Sequence, residues 1–598
     1  MKLLDLDGVI EKGVFEIPSY QRGYAWQERQ LKDFWNDLEH VSKLGDKFHY
    51  MHSLTLGELE NEFESSAFEI IDGQQRLATS LILLGLLAKT TQNKDKKYSF
   101  INLEPILSYK YYGLSEAFRA ITEEEKDLEA FKTSFYAKNL IEAYEFFKEK
   151  ISDTPIETLE KMFDALIKKM LFSVVELNDN RIDPFSSFET INNRGKDLST
   201  LELLKNRLHF VAHKICDEGD LENLQNEIND TYTRIYHDLR FFEDAHLENF
   251  LKYFVAYYYG EKRDFKERLL NTAFDAHKKY DDLYDEYEKI NDLLLHLSYS
   301  SKVWYFLHTL DDEELRIEIT PKMRDLLDKM RRLNALSDNA FLPLLLSLLT
   351  IQLAVRSGSE RHYTTKELEG LLEYLERFGF LIYGVAGGKK TAKNEWIELA
   401  FKAFRAFRYG EENLAIEDLP TLEKSFFNKT KNSGLELLEE RIHSKKNTEK
   451  WYGWGKALNY LLYEYELRHN PETTLNFDSR IESIEHILPK KPDQGYSAKE
   501  KNWAKNPHIV HALGNLLLIP KNANSSLSNK PFDEKRKEYI KGSYSEKEVA
   551  KNASFGVAQI KERSEKLLDF LIAHYRIAEL VDESAIQAFK NALLKDIK

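Results

Sequence analysis

The sequence predicts an α+β protein that is mostly helical, and three observations carry that reading. Short β-like runs cluster near the N-terminus, helical periodicity fills the middle, and a strand-bearing unit returns near the C-terminus. A chain of 598 residues is too long for one hydrophobic core. The expected divisions are an α+β domain over 1–205, a helical middle over 206–470, and a strand-and-helix unit over 471–598 that closes with a helix near 557–575.

The elements follow in order. Residues 13–17, 53–57 and 68–71 have the composition of strands. Between the first two, 27–44 reads as a helix with Leu31, Phe34, Trp35 and Leu38 on one face. An apolar helix over 77–89 follows Asp72-Gly73, and a strand is expected at 171–177. Long 3.6-residue periodicity then runs from Leu198 to Leu467, as at 247–259, 281–307, 342–355 and 368–383. Residues 470–478 and 384–393 read as linkers. The second holds Gly384-Val385-Ala386-Gly387-Gly388-Lys389-Lys390-Thr391, which lacks the spacing of a phosphate-binding P-loop and reads as a mobile basic loop.

Composition excludes several classes. Hydrophobic residues make up 42% and aromatic residues 13%, enough for globular packing. No run approaches the roughly 18 apolar residues of a membrane span, so no membrane partner is expected. Met1 to Asp7 carries acids where a secretion signal needs basic and then apolar residues. The single cysteine, Cys216, excludes an internal disulfide and any cysteine-based zinc cluster, which fits a reducing cytoplasm. The net charge of −15 argues against a protein that coats DNA, but not against an enzyme with a local basic face. Lysines at 490, 491, 499, 501, 505, 521, 530, 535 and 537, with Arg536, supply such a face.

The sharpest motif lies among those lysines. Ile484-Glu485-His486-Ile487-Leu488-Pro489 is followed by Leu513-Gly514-Asn515-Leu516 and then Asn524. Asn515 stands 29 residues after His486, and Asn524 nine residues further on. Together these residues resemble the ββα-metal core of an HNH nuclease. Phosphodiester hydrolysis needs a base for the attacking water, and neutral imidazole suits that task. Hard oxygen ligands favour Mg²⁺ or Mn²⁺. His486 is the expected base, Glu485 and Asn524 the expected metal ligands, and Asn515 the residue that orients the loop. Asn522 rivals Asn524, while His508 and His511 rank as secondary. Neighbours on a strand face opposite ways, so the strand must end or bulge at Glu485-His486, with Pro489 a natural terminator.

Three N-terminal clusters place amides and an arginine beside a turn. The first contains Tyr20, Gln21, Arg22, Tyr24 and Trp26. The second is Asp72-Gly73-Gln74-Gln75-Arg76, and the third holds Asn192, Asn193, Arg194 and Gly195. Gly73 permits close backbone approach, and the helix after it offers N–H groups to a phosphate. Arg22, Arg76 and Arg194 suit phosphate oxygens, and the aromatic rings suit stacking on a base. A buried bracing network is the alternative, and the two roles can coexist.

Ile17-Pro18-Ser19-Tyr20-Gln21-Arg22, the Asp-Gly-Gln-Gln-Arg run, Asn192-Asn193-Arg194-Gly195 and the Glu-His-x-x-Pro motif together resemble a known family. The N-terminal clusters resemble domain-of-unknown-function family 262, and the C-terminal unit resembles family 1524. Fused in this order they resemble the GmrSD-type, modification-dependent (type IV) restriction enzymes, a group that includes BrxU-like and SspE-like phage-defence proteins. The resemblance covers roughly 10–210 and 440–545. It implies a ParB/sulfiredoxin-like N-terminal fold with an NTP site at Asp72, Gly73, Gln74, Gln75 and Arg76. Tyr20, Gln21 and Arg22 would stand beside that site, and Trp26, Asn192 and Arg194 would contact nucleotide or DNA. It further implies cleavage of double-stranded phage DNA bearing modified cytosine or phosphorothioate, coupled to NTP binding or hydrolysis. A homodimer is compatible with this reading. Glu485 departs from the Asp usual before the histidine and reaches about one methylene further. Two other functions stay open: a nonspecific nuclease that kills the infected host, and a nucleotide-switched DNA-binding scaffold without cleavage.

Overall fold

The computed structural model describes residues 2–598 except 19–20, 22, 60–65, 93–95, 100–103, 111–112, 124, 178–198, 276–277, 281, 314, 316, 356–362, 389–391, 411–422, 426, 428–433, 476–480 and 493. Its internal contacts divide the chain into two units, Met1–Phe306 and Leu307–Lys598. The segment expected as a separate helical middle, 206–470, is thus shared between them.

The first unit is built on a six-stranded mixed sheet of β1 (Lys2–Asp5), β2 (Val14–Ile17), β3 (His49–Leu59), β4 (Ala67–Asp72), β5 (Leu107–Tyr109) and β6 (Met170–Glu176). Their spatial order is β1-β6-β3-β4-β2-β5. The anticipated strands are present, and β3 extends beyond its expected limits on both sides. β1 and β5 escaped the sequence reading because four and three residues are too few to show alternation. The helix Gln74–Thr90 is buried on nearly every side, as its run of leucines demands. Helices Phe135–Ser152 and Ile156–Lys168 pack against it. The helix Glu28–Ser42 buries Leu31, Phe34, Trp35 and Leu38, with Phe34 and Trp35 set 6.3 and 6.2 Å from the Phe147 ring. Beyond β6 every described element of this unit is a helix.

In the second unit, 368–383 was expected as one helix. The α-helix is Thr365–Phe378, and Gly379–Val385 continues it as a wider π-helical turn. The stretch expected as a basic loop from Gly384 thus begins inside this turn, and its described part is tied back to it, with the Gly388 N–H donating to the Ile382 carbonyl at 2.9 Å. Arg441 Nη1 and Trp454 Nε1 both donate to the Gly384 carbonyl, at 3.0 and 3.1 Å. Lys389, Lys390 and Thr391 lie outside the described residues.

The C-terminal strands β7 (Glu482–His486) and β8 (Leu516–Pro520) pair antiparallel without a register shift, from Glu482 opposite Pro520 to His486 opposite Leu516. The helix Lys521–Leu527 follows β8 directly. The helix Val557–His574 lies against the turn before β8, where Gly514 is required. A Cβ there would stand 2.0 Å from the Ile560 carbonyl oxygen. Ser564 Oγ accepts from the Gly514 N–H at 2.8 Å, and Arg563 Nη1 donates to the Gly514 and Leu516 carbonyls at 2.9 and 2.8 Å.

Gly73 sets the start of the helix after β4. Its φ is +98°, and a Cβ would meet the Ser53 carbonyl oxygen at 2.9 Å. Gly73→Ala should therefore destabilise the first unit by about 2 kcal/mol or more, from positive-φ strain plus overlap. Thermal unfolding followed by tryptophan fluorescence checks this, and an unchanged transition contradicts the close approach.

Candidate active site in the C-terminal unit

β7 ends at His486, and its two last residues face opposite ways, as strand alternation requires. On one side His486 Nε2 shares a hydrogen bond with His511 Nδ1 at 3.0 Å. Tyr452 covers both rings, with centroids 4.9 Å from His486 and 5.7 Å from His511. The Lys490 ammonium lies 3.8 Å above the Tyr452 ring. Asn515 is fully buried and ties this corner together. Its Oδ1 accepts from the Leu488 N–H at 2.8 Å, and its Nδ2 donates to the Leu488 and Val510 carbonyls at 2.9 and 2.7 Å. One side chain thus fixes both the segment leaving His486 and the segment arriving at His511.

On the opposite side, Glu485 enters a closed pocket. Lys535 Nζ donates to Glu485 Oε1 at 2.5 Å and to the His486 carbonyl at 2.8 Å, and Tyr539 Oη donates to the same carboxylate oxygen at 3.1 Å. Glu485 is 3% exposed and Lys535 is fully buried. Lys535 therefore leaves the basic face in which the sequence placed it, and Arg536 is half-buried with its Nε on the Ala550 carbonyl. The lysines at 490, 491, 499, 501, 505, 521, 530 and 537 are exposed.

Asn524 sits on the helix Lys521–Leu527, and its Nδ2 donates to Ser483 Oγ at 2.8 Å. Ser483 and Glu485 share one face of β7 by alternation. Asn524 is therefore on the Glu485 side, not beside the His486–His511 pair. Asn522 is exposed, with its Oδ1 accepting its neighbour's N–H. As a ligand set for Mg²⁺ or Mn²⁺ these residues do not fit in the present arrangement. The Glu485 carboxylate is already paired with a buried ammonium.

Burial dominates the electrostatics. It pushes His486 down to about 2, assisted by His511, Lys490 and Lys535. His511 is lowered to about 4 by burial and then Lys490, against an opposing effect of Glu449. Both rings are neutral at physiological pH. Burial also raises the Glu485 carboxyl despite Lys535 and Tyr539, and lowers the Lys535 ammonium despite Glu485. Such a pair holds position at a desolvation cost that its own attraction only partly offsets.

The described residues of the first two N-terminal clusters converge around the start of the helix Gln74–Thr90. Gln21 Nε2 donates to the Ile70 and Ile71 carbonyls. Gln75 accepts from the Ala25 N–H at 2.9 Å and donates to the Gly23 carbonyl at 3.0 Å. Gln74 is buried beside them. Arg76 Nη2 donates to the Ser53 carbonyl at 2.8 Å and to Asp72 Oδ2 at 3.1 Å, and Ser53 Oγ donates to the same Asp72 oxygen at 2.9 Å. Gln21 and Gln75 thus brace the chain, while Arg76 and Asp72 are only partly buried. Trp26 packs on Phe34 at 6.0 Å. Tyr20, Arg22, Asn192 and Arg194 lie outside the described residues.

Comparison with known proteins bears on both regions. Residues 3–209 match the GmrSD restriction endonuclease N-terminal domain, and residues 438–570 match the GmrSD restriction endonucleases C-terminal domain. The chain belongs to the GmrSD restriction endonuclease family. Together the two matches span more than half of it, and its substrate class is DNA. No curated protein matches the chain. No helix among the described residues is long and apolar enough to cross a membrane.

The sequence reading missed Tyr539 and Tyr452, placed Lys535 on the basic face, and ranked His511 as secondary. Only His511 carried a local signal, three residues before the Gly514-Asn515 turn. Lys535→Met should cost about 3–5 kcal/mol, because Glu485 would stay buried without its partner. Adding Glu485→Gln should restore most of that stability. Chemical denaturation of the single and double variants measures the coupling, and additive losses contradict the pairing.

Proposed function

We propose that this chain is a type IV restriction enzyme that cleaves modified DNA with an HNH-type C-terminal unit. The hydrogen-bonded His486–His511 pair, braced by Asn515 within the segment matched to the GmrSD C-terminal domain, carries the reading. In it, His486 takes the proton of the attacking water, and His511 holds the imidazole in orientation. The exposed Lys490 and Lys491 meet the phosphate backbone. An incoming phosphodiester brings negative charge that opposes the influence of Lys490 and Lys535, raising the proton affinity of His486 when substrate is bound. Cleavage would require a divalent ion, Mg²⁺ or Mn²⁺, which chelation tests, although Glu485 and Asn524 do not form a ligand set for it in the present arrangement.

The N-terminal unit is proposed to bind an NTP and to report DNA modification. The helix start at Gln74 and the partly buried Arg76 support a phosphate site there. NTP hydrolysis coupled to cleavage completes this reading. The decisive experiment incubates the protein with plain DNA, DNA carrying glucosylated hydroxymethylcytosine, and phosphorothioated DNA. Each is tested with and without NTP and with EDTA. Cleavage of one modified substrate supports the proposal. Equal cleavage of all three favours the nonspecific nuclease, and cleavage of none favours the scaffold.

His486→Ala should lower cleavage by about 10²–10⁴-fold while DNA binding persists; retained cleavage removes His486 as the base. The pH profile is a separate check. A base works when neutral, and the folded values of both histidines lie below the ordinary 6.5. Activity is therefore retained as pH falls through 6.5 and is lost only near 4 or below. An acid limb of kcat/KM centred near 6.5 contradicts the buried pair.

A further inference from the structure

Away from His486, three side chains from separate elements of the second unit converge. His443 ends the helix Gly434–His443, His508 lies in the short helix Pro507–Val510, and Asp596 follows the helix Glu583–Leu594. One ligand atom from each lies within 4.8 Å of the others. His443 Nδ1 and His508 Nδ1 stand 3.5 and 3.7 Å from Asp596 Oδ2. These separations are long for hydrogen bonds. They are close to the edge of a zinc tetrahedron, about 3.4 Å for ligand bonds of about 2.0–2.1 Å.

A second observation concerns how His443 is held. Its Nε2 is buried and has no hydrogen-bond partner among the described residues, and its ring stacks on that of His508 with centroids 5.8 Å apart. The nitrogen that faces Asp596 is Nδ1, and neither imidazole comes within ordinary hydrogen-bond distance of the carboxylate oxygen, so hydrogen bonding does not account for the convergence of the three groups, whereas a common cation does. Two nitrogen donors and one carboxylate suit a borderline transition ion and disfavour Mg²⁺, which takes oxygen ligands. All three side chains are partly exposed, which leaves room for a water as the fourth ligand.

We propose that His443, His508 and Asp596 bind one zinc ion. The ion clasps three elements that are distant in sequence. It also fixes the segment that supplies the Val510 carbonyl to Asn515 and carries His511, three residues beyond His508. It is distinct from any ion used in cleavage, and its presence does not depend on the activity proposed above.

The test uses the full chain, stripped with chelator and dialysed against zinc, with bound metal measured by elemental mass spectrometry. The expected result is one zinc per chain and a higher thermal midpoint than in the stripped protein. His443→Ala and the near-isosteric Asp596→Asn should each weaken zinc binding by about tenfold or more, since even outer-shell changes reach that size. His511→Ala should leave it unchanged, which separates this site from the neighbouring histidine pair. Circular dichroism confirms that the variants remain folded, and Asp596→Asn retains side-chain volume should His443→Ala fail to fold. No zinc on the wild-type chain overturns the proposal. So does zinc that survives both ligand substitutions, or zinc that is lost only with His511.

Discussion

Adjacent residues of a strand cannot share a face, and the C-terminal unit is organised around that constraint at Glu485 and His486. The strand sends a carboxylate one way and an imidazole the other. Each side then needs its own support. The carboxylate side receives a buried ammonium from Lys535, which also takes the His486 carbonyl. That bond fixes the backbone of the residue whose side chain points away from it. The imidazole side receives His511 and the Tyr452 ring. Glu485 thus helps position His486 through the lysine, without touching its ring.

The long excursion between β7 and β8 follows from the same arrangement. Two strands joined by a tight turn would not carry His511 back to His486. The chain instead makes two short helices before returning, and Asn515 binds both limbs of that path. Gly514 lets the helix Val557–His574 approach within backbone contact, and Arg563 reaches the carbonyls on either side of Asn515. The close approach and the brace occupy consecutive residues, so packing of that helix and orientation of the loop form one structural event.

Much of this was legible in the sequence, and the boundary is physical. Periodicity exposed the helix Glu28–Ser42 and four of its five buried residues, Val41 being the fifth, because amphipathic patterns are local. The Glu-His and Gly-Asn runs marked the ends of β7 and β8 for the same reason. Lys535 was misread because a lysine in a charged stretch looks solvated. Only its partner 50 residues earlier shows that it is buried. The Gln21 and Gln75 network has the same character: its residues stood out as polar beside turns, but their partners are backbone carbonyls and an N–H that no motif encodes. Local patterns identified the positions, and nonlocal contacts decided which of them brace the fold.

Charge is divided in a way that composition conceals. The chain carries −15 overall, yet eight exposed lysines lie between 490 and 537. At physiological ionic strength fields fade over about 8 Å, so the overall charge weighs little for the DNA contact proposed at this face. What remains is the local face, whose positive charge includes Lys490 above Tyr452. Lys535, buried and spent on Glu485, adds nothing to it for a DNA chain, yet it lowers the proton affinity of His486. The same residue type thus serves opposite ends within one short stretch. Solvated lysines provide attraction that salt can weaken, and the desolvated one provides a fixed position and a fixed field that salt does not reach.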